Sequence, residues 1–146
     1  MATLSSYEYL VKQVAEHLAG RPVMVRYRQP HVHGAVGLAM KTNAGAVIDV
    51  DPWQPFADQY GVFLHEVAHI KSHYAAMPDE SSMVHLPPGS TRFISTAAEA
   101  EHDRQNHFIE SQADQLAGKW LGYADRNAVY FRGDWLSTRL QALLTF

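Results

Sequence analysis

The sequence contains no cysteine. Disulfides, cysteine-ligated metal sites and cysteine nucleophiles are all excluded, and the chain suits a reducing compartment. Positive charge is not in surplus either: 12 lysines and arginines stand against 15 acidic residues, for a formal net charge of −3, scattered rather than grouped in runs. That is not the footprint of a protein that binds nucleic acid directly. Long hydrophobic runs are missing too. Between Met1 and Gly20, Glu8, Lys12 and Glu16 break every apolar stretch, so the apolar core of a secretory signal does not form. No later stretch approaches the roughly 18 apolar residues of a membrane span. Together these absences point to a soluble, cytoplasmic protein.

What is present fits one domain. The chain has 146 residues, 47% of them hydrophobic, which is enough to bury a core and too few for a second one, so residues 1–146 read as a single domain. Nine histidines stand out, about two to three times ordinary usage. A histidine-tolerant surface and metal chemistry both produce that count.

The periodicity changes twice along the chain. Tyr7, Leu10, Val11, Val14 and Leu18 recur at helical spacing. Ser5 and Glu8 have capping-box spacing ahead of them, and Gly20 and Pro22 stop the helix. From Val23 the period is two. Val23–Tyr27, Ala35–Lys41 and Ala46–Val50 read as strands, the last two joined by a turn at Thr42–Gly45, and a small antiparallel sheet is expected. Helical spacing returns from Phe56 to about Ala76, with Phe56, Tyr60, Phe63, Val67 and Tyr74 as its buried stripe. Asp79–Ser90, rich in proline and serine, reads as a loop. Thr96 and Glu99 open a long helix that is expected to end at Leu121, before Gly122, with Ile109, Ala113, Leu116 and Trp120 on its core side. A short helix over Asp134–Leu144 closes the chain. The fold class is α+β, helices packed around one small sheet.

Inside the second predicted helix lies His65-Glu66-Val67-Ala68-His69, an HExxH sequence. Residues four apart on a helix project from one face, so both imidazoles can reach one metal ion. Glu66 sits about 100° around the helix, placed to act on a water as a general base without being a ligand. Two imidazoles with an oxygen ligand suit zinc, although manganese or another divalent ion is not excluded. The long helix offers the oxygen. Glu110 and Asp114 are four apart on one face, so Glu110 can complete the ligand set while Asp114 accepts a hydrogen bond from the outer nitrogen of a ligating histidine.

The segments Leu64–His73 and Glu110–Ala117 resemble the ImmA/IrrE metallopeptidase family of gluzincin-like proteins, over roughly residues 22 to 121. Gln112 stands where that family often has glutamate, and Leu116 where it often has phenylalanine. The resemblance implies a zincin-like domain with His65, His69 and Glu110 on zinc and Glu66 as catalytic base. It also implies a protein substrate of the repressor-type regulator class, carried on a separate chain.

The other histidines have plainer readings. His73 lies about 12 Å beyond His65 along the helix axis, too far to share its metal, and reads as a support to the site or a structural residue. His85 is a rival third ligand. His31 and His33 share one strand face, an exposed edge or a second metal site. His107 is one turn before Glu110, and His17 reads as surface. Tyr123, Tyr130, His102 and Arg132 are unranked candidates for stabilising an oxyanion. The expected activity is that of a zinc metalloendopeptidase, with an extended peptide added to the edge of the small sheet. The alternative is an interaction module of the same fold, with or without metal, that sequesters or inhibits a protein partner.

Overall fold

The period-two stretch after Pro22 forms three strands in the computed structural model, which describes residues 6–30, 34–83 and 96–146, and only the backbone of residues 6, 82, 83 and 96–105. They are β1 (Val23–Tyr27), β2 (Gly37–Lys41) and β3 (Ala46–Val50). The helices are α1 (Ser6–Ala19), α2 (Phe56–His73), the single turn α3 (Glu80–Met83), α4 (Thr96–Asn127) and α5 (Trp135–Leu143). The α+β class is as expected. No helix among the described residues is long and apolar enough to cross a membrane.

The sheet departs from expectation. Its order is β1-β3-β2, with β1 parallel to β3 and β2 antiparallel to β3, so it is mixed rather than antiparallel. The hairpin at Thr42–Gly45 forms as expected. Thr42 and Gly45 exchange backbone hydrogen bonds of 3.0 and 3.3 Å. Gly45 has φ +154°, and a Cβ there would run into the carbonyl oxygen of Pro22. β3 is central and buried along its whole length, as suits a strand covered on both faces. Ala46, Ile48 and Val50 enter the core shared with Val14, Leu18, Leu64, Val67, Ile70, Trp120, Leu140 and Leu143.

Val47 and Asp49 point to the opposite face, because side chains alternate along a strand. Asp49 is fully buried there. It accepts hydrogen bonds from Arg26 Nε (2.7 Å) and Nη2 (3.2 Å) and from Arg28 Nε (3.1 Å). Arg26 Nη2 is also 2.7 Å from Glu80 Oε2, which ties the sheet to α3.

Two helix boundaries also differ from the reading of the sequence. α4 runs through Gly122 to Asn127, because the buried series Ala113, Ala117, Trp120 and Ala124 continues past the glycine, and that packing outweighs the roughly 1 kcal/mol a helical glycine costs. Phe56 opens α2 but is 71% exposed, so the buried stripe starts at Tyr60. After His73 the chain tightens into a 3-10 turn, Tyr74–Ala76. Asp134 caps α5, accepting a 2.8 Å hydrogen bond from Ser137 N–H. Ser5, His31, His33, His85 and most of the expected Asp79–Ser90 loop lie outside the described residues, as do the side chains of Thr96, Glu99 and His102.

Removing Asp49 takes the carboxylate from Arg28 and leaves Arg26 with Glu80 alone, on side chains that keep 41% and 26% of their exposure. Asp49→Ala is expected to lower the unfolding free energy by about 2–4 kcal/mol, somewhat less than for a fully buried pair. Arg28→Ala is expected to cost under about 1 kcal/mol. Urea unfolding checks both, and equal losses in the two variants would contradict the burial argument.

Candidate metal centre

The helical repeat sets the first half of the site. His65 and His69, one turn apart, leave the same face of α2 with ring centroids 4.7 Å apart and edge to face. Their Nε2 atoms are 3.1 Å apart. α4 crosses this face and supplies the second half. Glu110 Oε2 lies 2.6 Å from His65 Nε2, and its Oε1 lies 3.1 Å from His69 Nε2. One ligand atom from each of the three residues falls within 4.8 Å of the others, so the group could hold a metal ion. Tetrahedral bonds of about 2.0–2.1 Å would place such atoms about 3.3 Å apart, so a modest outward relaxation turns this contact set into a coordination shell.

Asp114 stands one turn after Glu110 and reaches the other side of the same ring, its Oδ1 2.7 Å from His65 Nδ1. His65 therefore meets a carboxylate at both nitrogens. Burial works against its charge, but Glu66, Glu110 and Asp114 outweigh burial and raise its pKa above the ordinary histidine value. His69 moves the other way. Burial lowers it, helped by the neighbouring His65 and His73, against the pull of Glu110.

Glu66 leaves α2 towards the sheet, 7% exposed. Burial pushes its pKa up to about 7, with the charge of Glu110 adding to this and His65 and a hydrogen bond from the Ala39 N–H opposing it. The approach of β2 that makes this bond depends on Gly37. A Cβ there would run into Val62 Cγ1 and stand 3.2 Å from Glu66 Cγ and Oε2. Neither Gly37 nor Ala39 was identified from the sequence; an isolated glycine at the start of a strand pattern, a sign of close backbone approach, was the available signal. The three ligand candidates and Glu66 all line one cleft of about 840 Å3, between β2 and its lead-in on one side and Ile109, Glu110 and Asp114 on the other.

The remaining candidates are dispersed. His73 is not part of the ligand group; its Nε2 is 2.8 Å from Gln112 Oε1, and its ring is 5.5 Å from that of His69. His107 and His17 are exposed. Tyr123 is tied to Thr145, 2.7 Å between their hydroxyls. Tyr130 and Arg132 are exposed beyond α4, and none of these three lines the cleft. Comparison with protein-family models, curated proteins and solved structures finds no match for this chain.

Two outcomes are expected. The chain takes up one divalent ion, lost in His65→Ala, His69→Ala and Glu110→Ala and bound about 10–100-fold more weakly in Asp114→Ala; titration calorimetry and elemental analysis measure this. The second concerns the metal-free protein. Folded Glu66 keeps its proton up to about pH 7, whereas the unfolded chain releases it near 4.5. The folded state therefore holds the extra proton in this window, and stability falls as pH rises through it. Glu66→Gln removes that loss, so its stability relative to wild type should grow by about 3 kcal/mol between pH 4.5 and 7. A constant difference in urea midpoints across this range, with chelator present, would contradict it.

Proposed function

We propose that the chain is a zinc-dependent metalloendopeptidase of zincin-like fold, with zinc held by His65, His69 and Glu110 and with Glu66 as the general base. The observation that carries this reading is the position of Glu66. It is a buried carboxyl beside the three-residue group rather than in it, on the same helix and lining the same cleft. A purely structural metal site has no use for such a group. Two imidazoles and one carboxylate favour zinc over manganese, which prefers oxygen donors. The resemblance of the HExxH and Glu110–Ala117 segments to ImmA/IrrE metallopeptidases points the same way.

Zinc in this set supplies Lewis acidity towards a carbonyl oxygen and towards water. The chain's own residues do the rest. Glu66, with its pKa near neutrality, takes a proton from the attacking water and returns it to the leaving amine nitrogen. The Ala39 N–H, on the β2 side of the cleft, favours the charged form of that carboxylate. Asp114, at His65 Nδ1, holds the ring so that Nε2 faces the cleft. Outward backbone groups of β2 offer hydrogen bonds to an extended peptide. The substrate is a protein or peptide segment, the repressor-type regulators among them, met in the cytoplasm without direct contact to nucleic acid or membrane.

Glu66→Gln keeps the shape and the ligands but removes the base. Cleavage of a casein or peptide-library substrate by the zinc-loaded protein should fall by about 10²–10⁴-fold, with zinc affinity within a few-fold of wild type. Undiminished cleavage in this variant would sink the assignment of the base, and no cleavage by the zinc-loaded wild type would turn the reading to a sequestering module.

A further inference from the structure

The cleft is unequal at its two ends. Asp51 N–H donates to Val36 C=O, so in the β2–β3 ladder residues 36, 38 and 40 bond inwards and Gly37, Ala39 and Lys41 face outwards. The outward N–H of Lys41 is already taken by Pro78 C=O at 2.8 Å, in a parallel bridge of Lys41 to Asp79. The Lys41 ammonium also reaches Ala75 C=O at 3.3 Å. The outward N–H of Ala39 is turned to the Glu66 carboxylate and works to lower its pKa. An extended peptide can therefore pair with Gly37 and with the carbonyl of Ala39, but it cannot continue along the strand past Lys41. The other end, towards Ala35, Gln54 and Gly61, carries no such strap among the described residues.

Among the described residues that end holds one charge. Asp58 lines the cleft, is exposed, and makes no hydrogen bond or ion pair among the described residues. It lies seven residues before His65 and so on the same face of α2, roughly 10 Å along the axis. No lysine or arginine is among the described residues lining the cleft. The other carboxylates there, Glu66, Glu110 and Asp114, are all engaged around His65. For a peptide that runs along α2 at about 3.3 Å per residue of extended chain, Asp58 would face a side chain about three positions from the reacting carbonyl.

We propose that Asp58 is a specificity-determining residue that selects a lysine or arginine in the bound peptide, about three positions from the cut. Antiparallel pairing with β2 places that basic residue on the C-terminal side. The inference rests on the peptidase reading for its register, but recognition itself can be measured without cleavage. An acidic first turn also stabilises a helix N-terminus, and that role alone would give no preference for peptide charge.

The test uses dye-labelled octapeptides of fixed neutral composition, with a single arginine or a single glutamate moved through every position. Fluorescence anisotropy reads binding to the metal-free full chain, and mass spectrometry reads cleavage by the zinc-loaded wild type. Arginine peptides are expected to bind and to be cut about three- to fivefold better than glutamate peptides, and Asp58→Arg should reverse the order. Charge-selective binding that reverses in Asp58→Arg, without cleavage by the wild type, keeps Asp58 as the selector of a basic residue and removes the peptidase reading together with the register counted from a cut. Cleavage with no charge preference, or with a preference unmoved in Asp58→Arg, overturns the inference and leaves that reading intact. Loss of both overturns both.

Discussion

The contact of β2 with α2 sets the position of everything else at the site. A side chain at position 37 would run into Val62 and crowd the stem of Glu66, and so would hold the strand away from the helix. Gly37 removes that obstacle. Its missing side chain lets Val62 and Glu66 sit against the strand, which brings the Ala39 N–H to the side of the carboxylate, where it opposes the upward pull of burial. The same approach buries Glu66 and so raises its pKa. One missing methyl group therefore sets both the orientation and the proton affinity of the central acid.

The second half of the site depends on α4, whose small buried residues Ala113, Ala117 and Ala124 bring it close to its neighbours. Once it is there, the four-residue spacing that pairs His65 with His69 on α2 is repeated by Glu110 and Asp114 on α4. The two helices meet at matched faces, and His65 sits between both carboxylates.

Much of this was legible in the sequence. HExxH and the Glu110–Asp114 pair name their partners because helical periodicity converts spacing into a shared face, whatever the rest of the fold does. The segments of seven helices and strands could be placed in the same way, from period 3.6 or period two; the single turn α3 could not. Strand order could not. Val23–Tyr27 alternates in the same way whether its neighbour runs parallel or antiparallel, and the insertion of β3 between β1 and β2 is a long-range choice made by the core. Nor could the end of α4 be placed, since Gly122 is a stop signal unless apolar residues continue beyond it, as Ala124 does. The pairing of Lys41 with Pro78 involves backbone atoms alone and leaves no trace in residue type.

The absence of cysteine takes on another meaning beside the His65–Glu110 contact, which joins residues 45 positions apart. An ion bridging α2 and α4 would close that loop as a covalent staple does. For a loop of this length, the chain entropy removed from the unfolded state corresponds to about 4 kcal/mol on the disulfide scale. Such a cross-link would open to a chelator and be left untouched by a thiol reductant. Supply of the ion would then govern how long the folded chain persists as well as what it does, so that in a metal-starved cell the protein would be depleted by unfolding and proteolysis as well as by loss of its chemistry.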